Sequence, residues 1–146
     1  MGVDYGDRRT GIAVSDDSRV IAFPRQTLEC PLLEQAAAAV ARLAEAEAVA
    51  EIVVGLPLNM NGSTGPRAVR TETFMAELAK RTAIPVKRWD ERLSTKTAES
   101  VLIEAGTRRA KRRSVVDKLA AQVILQSYLD AAAGPADPDD DPENAP

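Results

Sequence analysis

With no histidine and a single cysteine among 146 residues, the chain cannot assemble a Ser-His nucleophile pair, a histidine general base, a histidine-ligated zinc or an internal disulfide. The length suits one domain with a proper core. The formal net charge of −3 hides an asymmetry: residues 134–146 carry five acids and no base, so the rest of the chain is net positive and suits a polyanionic partner.

Aromatic side chains are limited to Tyr5, Phe23, Phe74, Trp89 and Tyr128. The core must therefore be built from Val, Ile, Leu and Ala. So few rings weigh against base-stacking platforms for single strands. Cys30, beside Pro31, reads as a structural thiol. No stretch has the length and apolarity of a membrane helix and no signal peptide is visible, so a soluble, cytoplasmic protein is expected.

In chain order, residues 1–5, 11–15 and 20–23 are short apolar runs separated by Gly, Asp and Ser, which predicts two antiparallel hairpins in series, with Pro24 ending the third strand. Residues 32–50 place Leu33, Ala36, Ala37, Val40, Leu43 and Ala44 at helical spacing. Residues 51–55 read as a buried strand and 57–65 as a loop. Pro66 starts a second helix through Val69, Phe74, Met75 and Leu78. Residues 84–89 form a further strand, ended by Asp90 and Glu91. Ser94 or Thr95 caps a helix to about Ala105, stopped by Gly106. Residues 107–113 are a basic loop, and Ser114 caps a last helix to about Ala133. Residues 134–146 have the composition of a disordered acidic tail. This order predicts an α/β domain over residues 1–133, with a mixed five-stranded sheet whose first three strands are antiparallel and helices on both faces.

Three acids fall at comparable places. Asp4 ends the first strand, Glu91 ends a later one and Asp117 begins the last helix. Carboxylates drawn from distant parts of a histidine-free chain suit a hard cation such as Mg²⁺ or Mn²⁺, which takes oxygen ligands and keeps some waters. Two such ions about 3.5–4 Å apart can clamp the attacking and leaving oxygens of a phosphoryl group. Cations for the substrate are at hand in Arg8, Arg9, Lys96 and the run from Arg108 to Arg113. Each acid also has a plainer reading. Asp4 can be a turn former, Glu91 a surface partner of Arg92, and Asp117 a first-turn acid favoured by the helix dipole. Asp90 competes with Glu91, since adjacent strand residues point to opposite faces. Glu91 is taken as the site residue, with Asp90 either supporting it or capping the helix that follows.

Five motifs in order carry a resemblance: Asp4-Tyr5-Gly6 with Arg9-Thr10-Gly11-Ile12-Ala13; Gly55-Leu56-Pro57-Leu58; Gly65-Pro66-Arg67-Ala68; Asp90-Glu91-Arg92-Leu93-Ser94-Thr95; and Asp117-Lys118-Leu119-Ala120-Ala121. Together they resemble the YqgF/RuvX family of bacterial Holliday-junction resolvases, over nearly all of residues 1–130. The resemblance implies a ribonuclease H-like fold and a metal-dependent endonuclease. Its substrates would be pre-16S ribosomal RNA, trimmed at its 5′ end, or branched DNA. It places the catalytic and metal-binding acids on Asp4, Glu91 and Asp117, with Mg²⁺ or Mn²⁺ as cofactor. Nucleic-acid contacts are expected from Arg8, Arg9, Asn59, Arg67, Arg92, Ser94, Thr95, Lys96, Arg108, Arg109, Lys111, Arg112, Arg113 and Lys118. A homodimer would suit a symmetric junction. Asn61 departs from the Asp that relatives often carry there, and the acidic tail lies outside the shared pattern.

Two other classes compete with this reading. A phosphotransfer domain of the actin and sugar-kinase type shares the strand–turn–strand start, but needs a second domain that this length does not provide. A non-catalytic RNA-binding or ribosome-assembly factor on the same fold would need no metal.

Overall fold

The protein is described by a computed structural model at residues 1–93 and 109–133, with the backbone alone for residues 109–116. Five strands, β1 (Gly2–Asp4), β2 (Arg9–Ser15), β3 (Ala22–Glu29), β4 (Ile52–Leu56) and β5 (Val86–Asp90), form one sheet in the order β3-β2-β1-β4-β5. β1, β2 and β3 pair antiparallel, while β4 and β5 continue parallel to β1. The mixed sheet expected from the element order is therefore present.

Alternation along the strands sends their side chains to two separate cores. On one face Val3, Tyr5, Ile12, Ile52 and Val54 pack against α1 (Leu33–Ala46) and α2 (Pro66–Arg81). On the other, Ala13, Ala22 and Val53 meet Ala121, Ile124 and Leu125 of α3 (Arg109–Ala133). α3 is also tied to the start of β3. Gln126 accepts from the Ala22 N–H at 2.9 Å and donates to the Val20 carbonyl at 2.8 Å, and Gln122 donates to the Ala22 carbonyl at 3.0 Å. These bonds satisfy backbone groups at the sheet edge that α3 covers.

Several boundaries differ from the sequence reading. Pro24 does not end the third strand. β3 runs through it to Glu29, because Ile12 pairs with Gln26 and Ala13 with Pro24, leaving Arg25 as an extra residue in a bulge. An edge strand tolerates a proline there, since no neighbour needs its missing N–H. α1 stops at Ala46 rather than near Ala50. Ala48 takes a left-handed φ of 52°, its N–H bonds the Glu45 carbonyl and the Val49 N–H bonds the Ala44 carbonyl, a Schellman end built without glycine. α3 starts by Arg109, so Ser114 is not its cap, residues 109–113 are helical rather than loop, and Asp117 lies inside the helix. Arg, Ala and Lys are strong helix formers, and that propensity overrides the loop reading of a charge run. The helix expected over residues 94–105 and the tail at 134–146 lie outside the described residues.

Candidate active site

All three parallel strands, β1, β4 and β5, end at the same edge of the sheet, at Asp4, Leu56 and Asp90. In open α/β sheets this carboxyl edge is where ligands bind. Asp4 sits on the central strand, on the α3 face. Its neighbours across the sheet on that face are both glycines. Gly11 pairs with Asp4 directly, and the pairing of Val3 with Val54 puts Gly55 on the other side.

The two glycines open a notch around Asp4. A Cβ on Gly55 would fall 2.6 Å from the Glu91 Oε1 and 3.0 Å from its Cγ, besides meeting the Ile124 side chain. A Cβ on Gly11 would collide with the Asp117 carbonyl and lie 3.0 Å from the Lys118 nitrogen. The missing side chains are thus what lets Glu91 reach in from one flank and α3 approach from the other. Aromatic contacts hold the surrounding frame. Tyr5, immediately after Asp4, stacks on Phe74 of α2 at 4.4 Å, and Trp89 of β5 meets Tyr128 of α3 edge-on at 6.0 Å.

Glu91 does not end β5. It opens a 3-10 turn, Glu91–Leu93, one residue beyond the strand. The turn resolves the competition with Asp90. Glu91 swings over Gly55 onto Asp4, while Asp90 turns to Arg92, with Nη2 to Oδ2 at 2.6 Å. Arg92 holds the Asp90 carboxyl below its usual range.

The electrostatics single out Asp4 and Glu91. Glu91 acts on Asp4 through its charge and through a side-chain hydrogen bond. Desolvation, then the charges of Glu91 and Asp117, push the Asp4 carboxyl well above the ordinary carboxylate range, with Arg67 opposing. Desolvation also raises Glu91, against the pull of Arg67 and the hydrogen bond from Asp4. Asp117 is raised by desolvation despite Arg9, whose Nε donates to its Oδ2 at 3.1 Å.

Two carboxyls brought together and raised by desolvation are a site that a divalent cation would relieve. The donor set is all oxygen and fits a hard ion that keeps waters and takes further ligands from a substrate phosphate. Among the described residues no group of three acid, His or Cys side chains is gathered closely enough to hold an ion. Asp117 is near enough for its charge to act on Asp4, but its carboxylate faces Arg9.

The remaining predicted residues are distributed unevenly. Arg67, exposed on the first turn of α2, is the cation whose charge acts on both acids. Arg8 is exposed in the β1–β2 turn, and Lys118 is half-buried beside Asp117. Asn59 is spent inside its own loop, donating to the Ser63 hydroxyl at 2.9 Å, which in turn bonds Asn61 at 2.6 Å. Arg109, Lys111, Arg112 and Arg113 lie on the first turns of α3. Ser94, Thr95, Lys96 and Arg108 lie outside the described residues. Sequence reasoning missed the part played by Gly55, which it placed only at the end of a buried strand. Its place beside an acid-ended central strand was the signal available for it.

Comparison with known proteins bears on the family and the fold. The family model described as RuvX, Holliday junction resolvase, matches residues 1–131. The chain is 48% identical over 132 residues to the "Putative pre-16S rRNA nuclease" of Symbiobacterium thermophilum, covering 90% of this chain and 92% of that one. It is 49% identical over 129 residues to the protein of the same name from Halothermothrix orenii, covering 88% and 92%. Among solved structures it is similar to T. thermophilus RuvC in complex with Holliday junction substrate, with a TM-score of 0.57 and 11% identity over 90% of this chain and 92% of that one. At that identity the likeness speaks for the ribonuclease H-like fold. On the family match and the identity to these relatives, the chain belongs to the RuvX Holliday junction resolvase family.

Proposed function

We propose that the protein is a divalent-cation-dependent endonuclease that hydrolyses phosphodiester bonds of structured nucleic acid, with the paired carboxyls of Asp4 and Glu91 as its catalytic centre. The observation that carries the reading is the meeting of two carboxyls at the carboxyl edge of the sheet, where Glu91 lies over Gly55 beside Asp4 and desolvation raises both. Such pairs collect at functional sites, because an isolated fold gains nothing from them. Asp4 and Glu91 would hold Mg²⁺ or Mn²⁺, with Asp117 joining them on leaving Arg9. When bound, the cation supplies charge stabilisation at the phosphoryl oxygens and lowers the pKa of water.

The chain's own residues have distinct parts. Asp4 is fixed on the central strand and Glu91 on the turn after β5, so ligand oxygens are presented from two elements. Arg67 stands at the mouth of the site as a cation for the substrate backbone. Arg8 and Lys118 extend that charge, which gives affinity and salt dependence but no choice of sequence. No histidine is needed for this chemistry.

The relatives' names favour pre-16S ribosomal RNA as the substrate, and the family description favours a four-way DNA junction. Cleavage of both by the purified protein, side by side with Mn²⁺, decides between them. Preferential cutting of the ribosomal precursor supports the RNA reading. Cutting of neither, with both bound and no effect of the cation, supports the non-catalytic ribosome-assembly factor instead.

A further inference from the structure

Arg92 follows Glu91 directly, and its guanidinium is already engaged on three sides. Nε lies 3.1 and 3.0 Å from the two Asp90 carboxylate oxygens, and Nη2 donates to Oδ2 at 2.6 Å. Nη1 reaches across to the Met60 carbonyl at 3.3 Å. The plane of the group lies against Gly62, where a Cβ would be 3.3, 3.7 and 3.8 Å from Nη1, Nη2 and Cζ. Gly62 has a φ of +86°, a conformation glycine adopts without strain. Asp90 Oδ1 also accepts the Arg92 backbone N–H at 3.0 Å, which fixes the start of the 3-10 turn.

This arrangement joins two segments that arrive separately. One is the β4–α2 loop, residues 57–65, held internally by the Asn59, Asn61 and Ser63 bonds. The other is the turn that aims Glu91 over Gly55. An arginine bidentate to a carboxylate is a geometrically defined joint. Its charge is cancelled by Asp90, so the pair offers a phosphate backbone little net attraction.

We propose that Arg92 is a positioning residue for Glu91: together with Asp90 it clasps the β4–α2 loop to the Glu91 turn, and it does not contact the nucleic-acid backbone. The consequence for catalysis rests on the nuclease reading above, but the clasp itself does not. Arg92 and Asp90 are both partly exposed, so their replacement leaves the two cores intact.

The test uses Arg92→Ala, Asp90→Asn, Arg92→Lys and the double variant Asp90→Asn/Arg92→Ala, with hydrogen exchange on the free protein as the primary readout. The clasp predicts faster exchange in residues 57–65 for Arg92→Ala and Asp90→Asn alike, with the double variant no worse than either. Arg92→Lys falls between, since lysine keeps the ion pair but cannot bridge to Met60 as well. On a cleaved substrate the same variants lower kcat by about tenfold to a hundredfold, with KM and the salt dependence of binding unchanged. A phosphate contact predicts the reverse: unchanged loop exchange, weaker binding by Arg92→Ala with a salt slope shallower by about one, and tighter binding by Asp90→Asn. That result overturns the proposal. Should the wild-type protein cleave nothing, the nuclease reading fails, while hydrogen exchange still decides the clasp.

Discussion

Replacing Gly55 by alanine isolates what the notch beside Asp4 contributes. The new methyl carbon would sit 2.6 Å from the Glu91 Oε1, whereas ordinary contact begins at 3.4 Å. The carboxylate must therefore retreat by roughly 1 Å. It can do so cheaply, because it is the end of a flexible side chain, and the Ile124 methyl can rotate away as well. Alanine in a strand also regains about 0.5–1 kcal/mol of backbone entropy relative to glycine, which offsets the crowding. Stability should thus change little, with the melting midpoint within roughly 3 °C of wild type. Catalysis should change much more. A misplacement of about 1 Å at a reacting centre costs on the order of a hundredfold, or about 2.7 kcal/mol of barrier. Single-turnover cleavage with Mn²⁺, alongside a thermal melt, reads both quantities. A Gly55→Ala protein that cuts at the wild-type rate would refute the claim that the space above Gly55 sets the reach of Glu91.

The other substitutions separate structure from chemistry. Gly11→Ala should behave oppositely to Gly55→Ala, because its methyl meets the Asp117 backbone carbonyl, which cannot rotate aside; a loss of about 1–3 kcal/mol or more in urea unfolding is expected, and unchanged stability would contradict the close approach of α3. Asp4→Asn should stabilise the cation-free protein. Burial and facing charge raise the Asp4 and Glu91 carboxyls, so the folded state keeps protons that the unfolded chain has released. The associated stability is present below the ordinary carboxylate range and is lost as pH rises toward the raised folded values. In chelator the variant should therefore exceed wild type at neutral pH by about 0.5–2 kcal/mol, with the two curves converging in acid; parallel curves would remove the proposed coupling.

Much of this was legible in the chain because the signals were periodic. The apolar spacing of Ala36, Ala37, Val40 and Ala44 located α1, and Pro66 marked the start of α2 at its first residue. The place of Asp4 at the end of β1 was legible, whereas Glu91 opens a turn beyond β5 and Asp117 lies inside α3. What escaped depends on contacts between distant segments. A bulge lets β3 pass through Pro24 only because β2 supplies the register. Gly11 and Gly55 read as ordinary strand positions until α3 and Glu91 are seen packed where their side chains would be. Asp117 was read as the start of a helix whose first turns the basic run provides, and its pairing with Arg9 spans a separation of 108 residues that no local pattern encodes.

The central claim is that the Asp4–Glu91 pair is the catalytic centre of a cation-dependent nuclease. Cleavage of a pre-16S ribosomal RNA fragment by wild-type protein and by Asp4→Asn, each titrated with Mn²⁺ and then treated with chelator, tests it most directly. Wild type should cut only with the cation and stop on chelation, while Asp4→Asn binds the RNA with similar affinity and does not cut. Wild-type cleavage by Asp4→Asn, or cleavage that survives chelation, would contradict the account.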